Sequence, residues 1–149
     1  MVAFRSENPI RVLLLSGPAQ RLALQAAVDG GDVRLSSTVD HAAAAVRAAT
    51  PERVDVCLLD AGADGDVLLA TSQISRRAGV AVIVVTETPS DVELGAAMLA
   101  GASGYLPVPA AAAEIRTGIR EVVAGGSAIP RRFHRVLVEA LRTSPSSTG

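Results

Sequence analysis

The sequence has 149 residues, of which 49% are hydrophobic and 19% are charged, and its formal net charge is -1. These values predict one globular domain and exclude a disordered chain, while the small net charge gives no global attraction to nucleic acid. No apolar run approaches the ~18 residues of a membrane helix, and no secretory signal is evident. We therefore expect a cytoplasmic protein.

The chain begins with a polar lead-in, residues 1–9, and a strand pattern follows over residues 10–15. The apolar residues of this pattern are continuous rather than alternating, which is typical of a strand buried on both faces. Pro18 suits the first turn of a helix, so we predict a helix that reaches about Val28, with Gly30 as its stop.

A second strand and an alanine-rich helix come next. Residues 32–36 alternate in polarity, as expected of an edge strand with one wetter face. The run 42–49 predicts a helix that is entered near Thr38 or Asp40. It should end before Pro51, because the residue that precedes a proline disfavours the helical conformation.

Residues 54–60 are predicted to form the central strand of the sheet. The run is almost entirely apolar and ends in Asp60, and the loop after it cannot continue a strand. Open α/β sheets bind their ligands at the carboxyl ends of central strands, which makes Asp60 a candidate site residue. From its position alone, Asp60 could equally well cap the following loop. Cys57, the only cysteine, should pack here as a small hydrophobe.

The second half of the chain repeats the alternation of helix and strand. Asp66 is predicted to cap a helix whose last turn contains Arg76 and Arg77. The run 80–85 is the most strand-like segment of the chain, and it ends at Thr86.

Ser90 and Glu93 have the spacing of a capping box, in which two side chains satisfy backbone N–H groups at the start of a helix. This helix is followed by a short strand over 104–106 and a helix over 111–123. A last helix, about 130–142, carries an apolar stripe on one face. The stripe consists of Phe133, Val136, Leu137, Ala140 and Leu141.

Five strands alternating with five helices predict a doubly wound α/β fold, with helices on both faces of a parallel sheet. Right-handed crossovers and one switch point favour the strand order 2-1-3-4-5. We divide the chain into the lead-in at 1–9, a domain at 10–126, a C-terminal amphipathic helix at 127–142 and a linker or tail at 143–149.

Four motifs are informative through their order and spacing. They are Arg11-Val12-Leu13-Leu14-Leu15, Asp55-Val56-Cys57-Leu58-Leu59-Asp60, the strand end from Val82 to Thr86, and Gly101-Ala102-Ser103-Gly104-Tyr105-Leu106. With them the chain resembles a response-regulator receiver domain of the NarL/FixJ type over about residues 10–126. The resemblance implies the flavodoxin-like fold of CheY-like proteins. It also implies that Asp60 is the phosphoacceptor position and that Thr86 and Tyr105 are switch positions.

The departures from this family concern the phosphorylation pocket. Ser16 and Gly17 stand where the family has a pair of acids that holds Mg²⁺, and Val108 stands where it has a lysine. No lysine occurs anywhere in the chain, and Glu87 stands where a small residue is usual. Because phosphoryl transfer depends on metal ions and fixed cations, we expect no Mg²⁺ and inefficient phosphorylation of Asp60.

The leading hypothesis is an atypical receiver, a non-enzymatic signal-input and dimerisation module of a transcriptional regulator. Conventional phosphorylation of Asp60 is one alternative. An enzyme, the third class, is disfavoured because the sequence has no glycine-rich dinucleotide fingerprint after its first strand and no evident Ser/His/Asp grouping. The other alternative is a small-molecule ligand in a degenerate pocket. That pocket would be lined by Ser16, Gly17, Asp60, Thr86, Glu87 and Val108.

Partners are predicted from the same features. The apolar stripe must be buried against the domain or a second copy, and we expect a homodimer that uses the first and fifth helices or the last helix. The basic run from Arg131 to Arg135 is more often a solvated face than a nucleic-acid site. We expect DNA binding only through a helix-turn-helix domain beyond Gly149, and no membrane contact.

Overall fold

The computed structural model describes residues 8–142, except for the side chains of Val136, Leu137, Ala140 and Leu141. The predicted tail and most of the predicted lead-in lie outside these residues. Five parallel strands form one sheet in the order β2-β1-β3-β4-β5, as the sequence predicts. The strands are β1 Ile10–Leu15, β2 Val33–Val39, β3 Val56–Asp60, β4 Ala81–Thr86 and β5 Gly104–Pro107.

Helices cover both faces of the sheet, which confirms the doubly wound fold. One core lies between the sheet and α2, α3 and α4, and the other lies between the sheet and α1 and α5. Successive strand residues face opposite sides of the sheet, so a continuous apolar strand contributes to both cores. Cys57 packs in one core and Leu58 in the other. The helices are α1 Arg21–Val28, α2 Ala42–Ala48, α3 Val67–Ser75, α4 Asp91–Leu99, α5 Ala112–Val123 and α6 His134–Arg142.

The strands differ from the prediction mainly at their ends. β2 continues to Val39, beyond the predicted end at residue 36, because its register with β1 shifts after Val12 and the pairing then runs to Leu15. β3 begins at Val56 rather than at residue 54. It is the most deeply placed strand, and its five residues are each at most 4% exposed.

α1 begins later than predicted. Pro18 lies in a turn that follows β1, and the helix starts only at Arg21. Its end is as predicted: the helix stops at Val28, Asp29 is the C-cap, and Gly30 follows and pairs with Val33 at the start of β2.

α2 is capped by a residue that the sequence analysis did not select. The ring Nδ1 of His41 accepts a hydrogen bond of 3.0 Å from the backbone N–H of Ala43. Thr38 is unavailable as the cap because it belongs to β2. The predicted entry near Thr38 or Asp40 was therefore one to three residues too early.

Two other predicted caps are confirmed. Oδ1 of Asp66 accepts a hydrogen bond of 3.0 Å from the N–H of Leu69 at the start of α3. Oγ of Ser90 likewise accepts one of 3.0 Å from the N–H of Glu93 at the start of α4. α3 ends at Ser75, so the two arginines predicted in its last turn follow the helix.

The C-terminal segment lies against the rest of the domain. Ala128 pairs with β5: its N–H donates to the carbonyl oxygen of Ser103 at 3.0 Å, and its carbonyl oxygen accepts from the N–H of Tyr105 at 2.9 Å. The helix predicted at about 130–142 is not α-helical from its start. The chain instead forms a 3-10 turn, Arg131–Phe133, and then α6, which runs alongside α4. Within residues 8–142 no helix has the length and hydropathy to span a membrane.

An ion pair joins two strands at the amino end of the sheet. The guanidinium of Arg11 donates to both carboxylate oxygens of Asp55, from Nε at 3.1 Å and from one terminal nitrogen at 2.9 Å. Partial burial raises the pKa of the Asp55 carboxyl, but the hydrogen bonds from Arg11 outweigh it and hold that pKa below its ordinary value. This pair fixes the start of β3 against β1.

Candidate functional site

Asp60 ends β3 at the carboxyl edge of the sheet, and its side chain is 4% exposed. Its Oδ2 accepts a hydrogen bond of 3.2 Å from the backbone N–H of Gly17, and its Oδ1 accepts one of 2.9 Å from the N–H of Gly62. A buried carboxylate requires such donors, because an unpaired charge away from water is costly. The two main-chain donors tie Asp60 to the segment after β1 and to the loop after β3.

Ser16 and Gly17 follow β1 and face this carboxylate. Ser16 is fully buried, and its hydroxyl donates to the carbonyl oxygen of Gly17 at 2.8 Å rather than to Asp60. A Cβ atom at Gly17 would lie 3.5 Å from the carbonyl oxygen of Gly62, so the loop after β3 packs closely on the Gly17 backbone. The two positions therefore provide a main-chain donor and no carboxylate.

The residues at this edge do not fit Mg²⁺, the ion that the resemblance implies. Mg²⁺ requires near-octahedral oxygen ligands, mostly carboxylate and water. Asp60 is the one carboxylate at the end of β3, and both of its oxygens already accept main-chain hydrogen bonds. Over the described part of the chain, no three His, Cys, Asp or Glu side chains are grouped so that they could hold a metal ion.

Three further predicted site residues lie on the β4 and β5 side of the same edge. Thr86 ends β4 and is 2% exposed, and its hydroxyl accepts a hydrogen bond of 3.1 Å from the N–H of Thr88. Val108 is buried in the core under α5, and its peptide bond to Pro109 is cis. Glu87 is exposed. Five of the six positions predicted to line a ligand pocket are therefore buried. Their side chains offer no exposed surface on which a small molecule could bind.

Tyr105, the second predicted switch position, is fully buried on β5. Its hydroxyl donates a hydrogen bond of 2.7 Å to Oε1 of Glu93 and accepts one of 3.1 Å from the backbone N–H of Ser90. In a simple capping box the glutamate would accept from the Ser90 N–H directly. Here the Tyr105 hydroxyl lies between the two groups, so the capping box of α4 is closed through β5.

Phe133 packs on Tyr105 from the C-terminal segment. The two ring centroids are 5.6 Å apart and the ring planes meet at 78°, which is the favourable edge-to-face arrangement. Phe133 is 8% exposed, and the guanidinium carbon of Arg132 lies 4.9 Å from its ring centroid. Burial, with the hydrogen bond to Glu93, raises the pKa of the Tyr105 hydroxyl well above its ordinary value. Of the predicted stripe only Phe133 falls within the described side chains.

The role of Glu93 at this site is only partly visible in the sequence. Glu93 was recognised as a capping-box residue, but its partner is the hydroxyl of Tyr105, twelve residues along the chain. The pattern carried a partial signal, since a tyrosine at the end of a buried strand must find a partner for its hydroxyl. A groove of about 510 Å³ between α3 and α4 also reaches Glu93, and Asp66, Leu68 and Val84 contribute to its lining.

Comparison with known proteins identifies the fold. No protein-family model and no curated protein sequence matches the chain. Solved structures do match. A LuxR-family two-component response regulator from Aurantimonas sp. SI85-9A1 is 22% identical, with a TM-score of 0.74 over 88% of this chain and 96% of that one. The receiver domain of the response regulator NarL from Mycobacterium tuberculosis is 23% identical, with a TM-score of 0.73 over 79% and 98%.

A third match is closer in sequence. A protein from Burkholderia pseudomallei, described as related to pilus assembly, is 30% identical, with a TM-score of 0.67 over 80% of this chain and 93% of that one. This chain has the fold of response-regulator receiver domains. The likeness of the receiver domain to the two response regulators is one of fold, and it confirms the expected CheY-like architecture.

Proposed function

We propose that this receiver domain is a signal-input module that works without phosphorylation of Asp60. The observation that carries the proposal is that each oxygen of the Asp60 carboxylate accepts a main-chain hydrogen bond, from Gly17 and from Gly62, at a site to which the described residues bring no second carboxylate for a metal ion. A phosphoacceptor must instead present an oxygen to the incoming phosphoryl group, with metal and cationic side chains around it. Ser16, Gly17 and Val108 supply none of these charges.

The direct test is genetic. A strain carrying Asp60→Asn in the intact gene should regulate its target transcripts as the wild type does, once immunoblotting has shown equal protein levels. A deletion strain provides the reference for full loss of function. A transcriptome of the Asp60→Asn strain that matches the deletion strain, at equal protein level, would refute phosphorylation-independent function.

Transcription regulation and pilus assembly are two candidate outputs, and the comparisons give a reason for each. The response-regulator neighbours favour transcription, whereas the 30% identical Burkholderia protein favours a role connected with pilus assembly. The same deletion strain separates them. Altered transcripts with normal surface pili would favour the first output, and loss of pili with unchanged transcripts would favour the second.

We propose that the domain acts as a homodimer through α1 and α5. The last helix is already packed along α4 of its own chain, which leaves the first of the two predicted surfaces. Leu22 on α1 is 80% exposed and Val123 on α5 is 44% exposed, and large apolar side chains of this kind favour a symmetric interface. Light scattering should give a dimer mass for the wild type and a monomer mass for Leu22→Glu. A monomeric wild type at high concentration would contradict the proposal.

A further inference from the structure

The start of α4 contains an unusual closed ring of hydrogen bonds. The Ser90 N–H donates to the Tyr105 hydroxyl, that hydroxyl donates to Glu93, and the Glu93 N–H donates back to Oγ of Ser90. Each member is satisfied by the next, so Tyr105 replaces the direct contact between the two halves of the capping box. A buried side chain of β5 thus takes part in capping the N-terminus of α4.

The Tyr105 hydroxyl donates to a carboxylate oxygen of Glu93. Hydrogen bonds to charged acceptors are shorter and about twice as strong as neutral ones, and the distance of 2.7 Å from Tyr105 to Glu93 is in that range. Glu93 is half-buried, so water competes only partly for its oxygens. The carboxylate therefore holds the Tyr105 hydroxyl more firmly than the backbone N–H of Ser90 alone would do.

The ring of Tyr105 is held from its other side by the C-terminal segment. Phe133, the last residue of the 3-10 turn before α6, packs edge-to-face on it. α6 continues from this residue along α4. A single tyrosine thus contacts the helix that begins at Ser90 and the segment that positions α6.

We propose that Glu93 is the positioning residue of Tyr105, and that Glu93, Tyr105 and Phe133 couple the start of α4 to the docking of α6. The proposal rests on the proposed function, since it assigns a route by which a signal-input module would pass its state to its C-terminal segment. Coupling of this kind is reciprocal. Loss of the Glu93 carboxylate weakens the docking of α6, and loss of the Phe133 ring loosens the hydrogen bond from Tyr105.

The experiment uses amide hydrogen exchange over residues 134–142 in the full chain. Glu93→Ala should exchange these amides about fivefold faster or more, which is the lower end of typical coupling between two sites. Glu93→Gln keeps an acceptor for the hydroxyl and should restore most of the protection. Asp91→Ala is the matched control, because it removes a carboxylate from the same first turn of α4 that accepts no hydrogen bond from Tyr105.

A second variant shows whether Glu93 acts through Tyr105. In a Tyr105→Phe background, which lacks the hydroxyl, Glu93→Ala should add no further change in exchange of α6. Tyr105 is the only tyrosine and the chain has no tryptophan, so a ¹³Cζ-tyrosine label gives one NMR signal. That signal should move in Phe133→Ala, and it should move further in Glu93→Ala than in Asp91→Ala, since Asp91 acts on the Tyr105 hydroxyl through its charge alone.

Circular dichroism of each variant verifies that the sheet remains folded. Equal exchange of α6 in Glu93→Ala and in the wild type would overturn the coupling, as would an equal effect of Asp91→Ala. Phosphoryl uptake by Asp60 would refute the proposed phosphorylation-independent function and leave these exchange results intact, so the two failures are distinguishable.

Discussion

The backbone N–H of Gly17 donates a hydrogen bond of 3.2 Å to Oδ2 of Asp60, across the gap between β1 and β3. The residue at position 17 therefore serves the carboxylate as a donor, where the receiver family would place an acid. The carboxyl edge of the sheet therefore provides Asp60 with a hydrogen-bond donor and, within residues 8–142, lacks a second carboxylate for a metal ion. A carboxylate satisfied in this way contributes to the fold without a metal ion.

An acidic side chain at position 17 should make the domain dependent on Mg²⁺. A Cβ atom there would lie 3.8 Å from Oδ2 of Asp60, which is an ordinary contact, so Gly17→Asp adds charge repulsion rather than a steric clash. We expect Gly17→Asp to lower the melting temperature and millimolar Mg²⁺ to recover part of the loss. Gly17→Asn, of equal size and without charge, is the control. A wild-type melting temperature that rises with Mg²⁺ would argue against the account.

Replacing Asp60 by asparagine should destabilise the domain. The amide offers one oxygen to the N–H groups of Gly17 and Gly62 and turns an NH₂ group toward the other donor. Leaving one buried donor unsatisfied costs about 1–3 kcal/mol. The free energy of unfolding of Asp60→Asn in urea should therefore be lower than that of the wild type by this amount. A higher free energy of unfolding for Asp60→Asn would show instead that burying the Asp60 carboxylate destabilises the domain.

The domain should lose stability in alkali because of Cys57. Burial raises the pKa of the Cys57 thiol from 9.0 to about 12. A pKa raised on folding favours the folded state fully below the unfolded value, so this contribution persists below pH 9 and is lost as the pH rises toward 12. The slope of the unfolding free energy approaches about 1.4 kcal/mol per pH unit for one such group. Cys57→Ala should flatten the slope, and an unchanged slope would contradict this assignment.

The ion pair of Arg11 and Asp55 should give a smaller effect in acid. The pKa of Asp55 is held below its ordinary value of 3.8, so its contribution is present above that pH and is lost as the pH falls through the folded value. Both side chains are about one-third exposed, and screening limits the expected loss in Asp55→Asn to about 1 kcal/mol at neutral pH. The matched control is Asp32→Asn, which breaks the pair with Arg120 and should cost less, because Arg120 donates one hydrogen bond to Asp32 whereas the Arg11 guanidinium donates two to Asp55. Equal losses of stability in the two variants would contradict the prediction that the Arg11–Asp55 pair contributes more than the Arg120–Asp32 pair.

The elements that the sequence predicts well are those with strong local signals. The continuous apolar run that ends at Asp60 predicts a strand buried on both faces, and β3 has that environment. Asp66 and Ser90 cap their helices as predicted, since a side chain that accepts from an N–H three residues on needs only local geometry. The strand order follows from general rules of handedness and connection.

The sequence predicts poorly those features that depend on distant partners. The pairing of Ala128 with β5 is one such feature, since nothing near Ala128 in the sequence indicates it. The role of Glu93 was incomplete for the same reason, since its acceptor oxygen is used by Tyr105 on another element. His41 was overlooked as a cap because serine, threonine and aspartate are the usual choices.

The central claim is tested most directly by intact-protein mass spectrometry after incubation with acetyl phosphate and Mg²⁺. The wild type and Asp60→Asn should both remain at their unmodified masses. A variant carrying Ser16→Asp, Gly17→Asp and Val108→Lys restores the charges that the family uses, and it serves as the positive control. A gain of one phosphoryl group by the wild type that is absent in Asp60→Asn would contradict the account, because Asp60 would then be a working phosphoacceptor despite its main-chain hydrogen bonds.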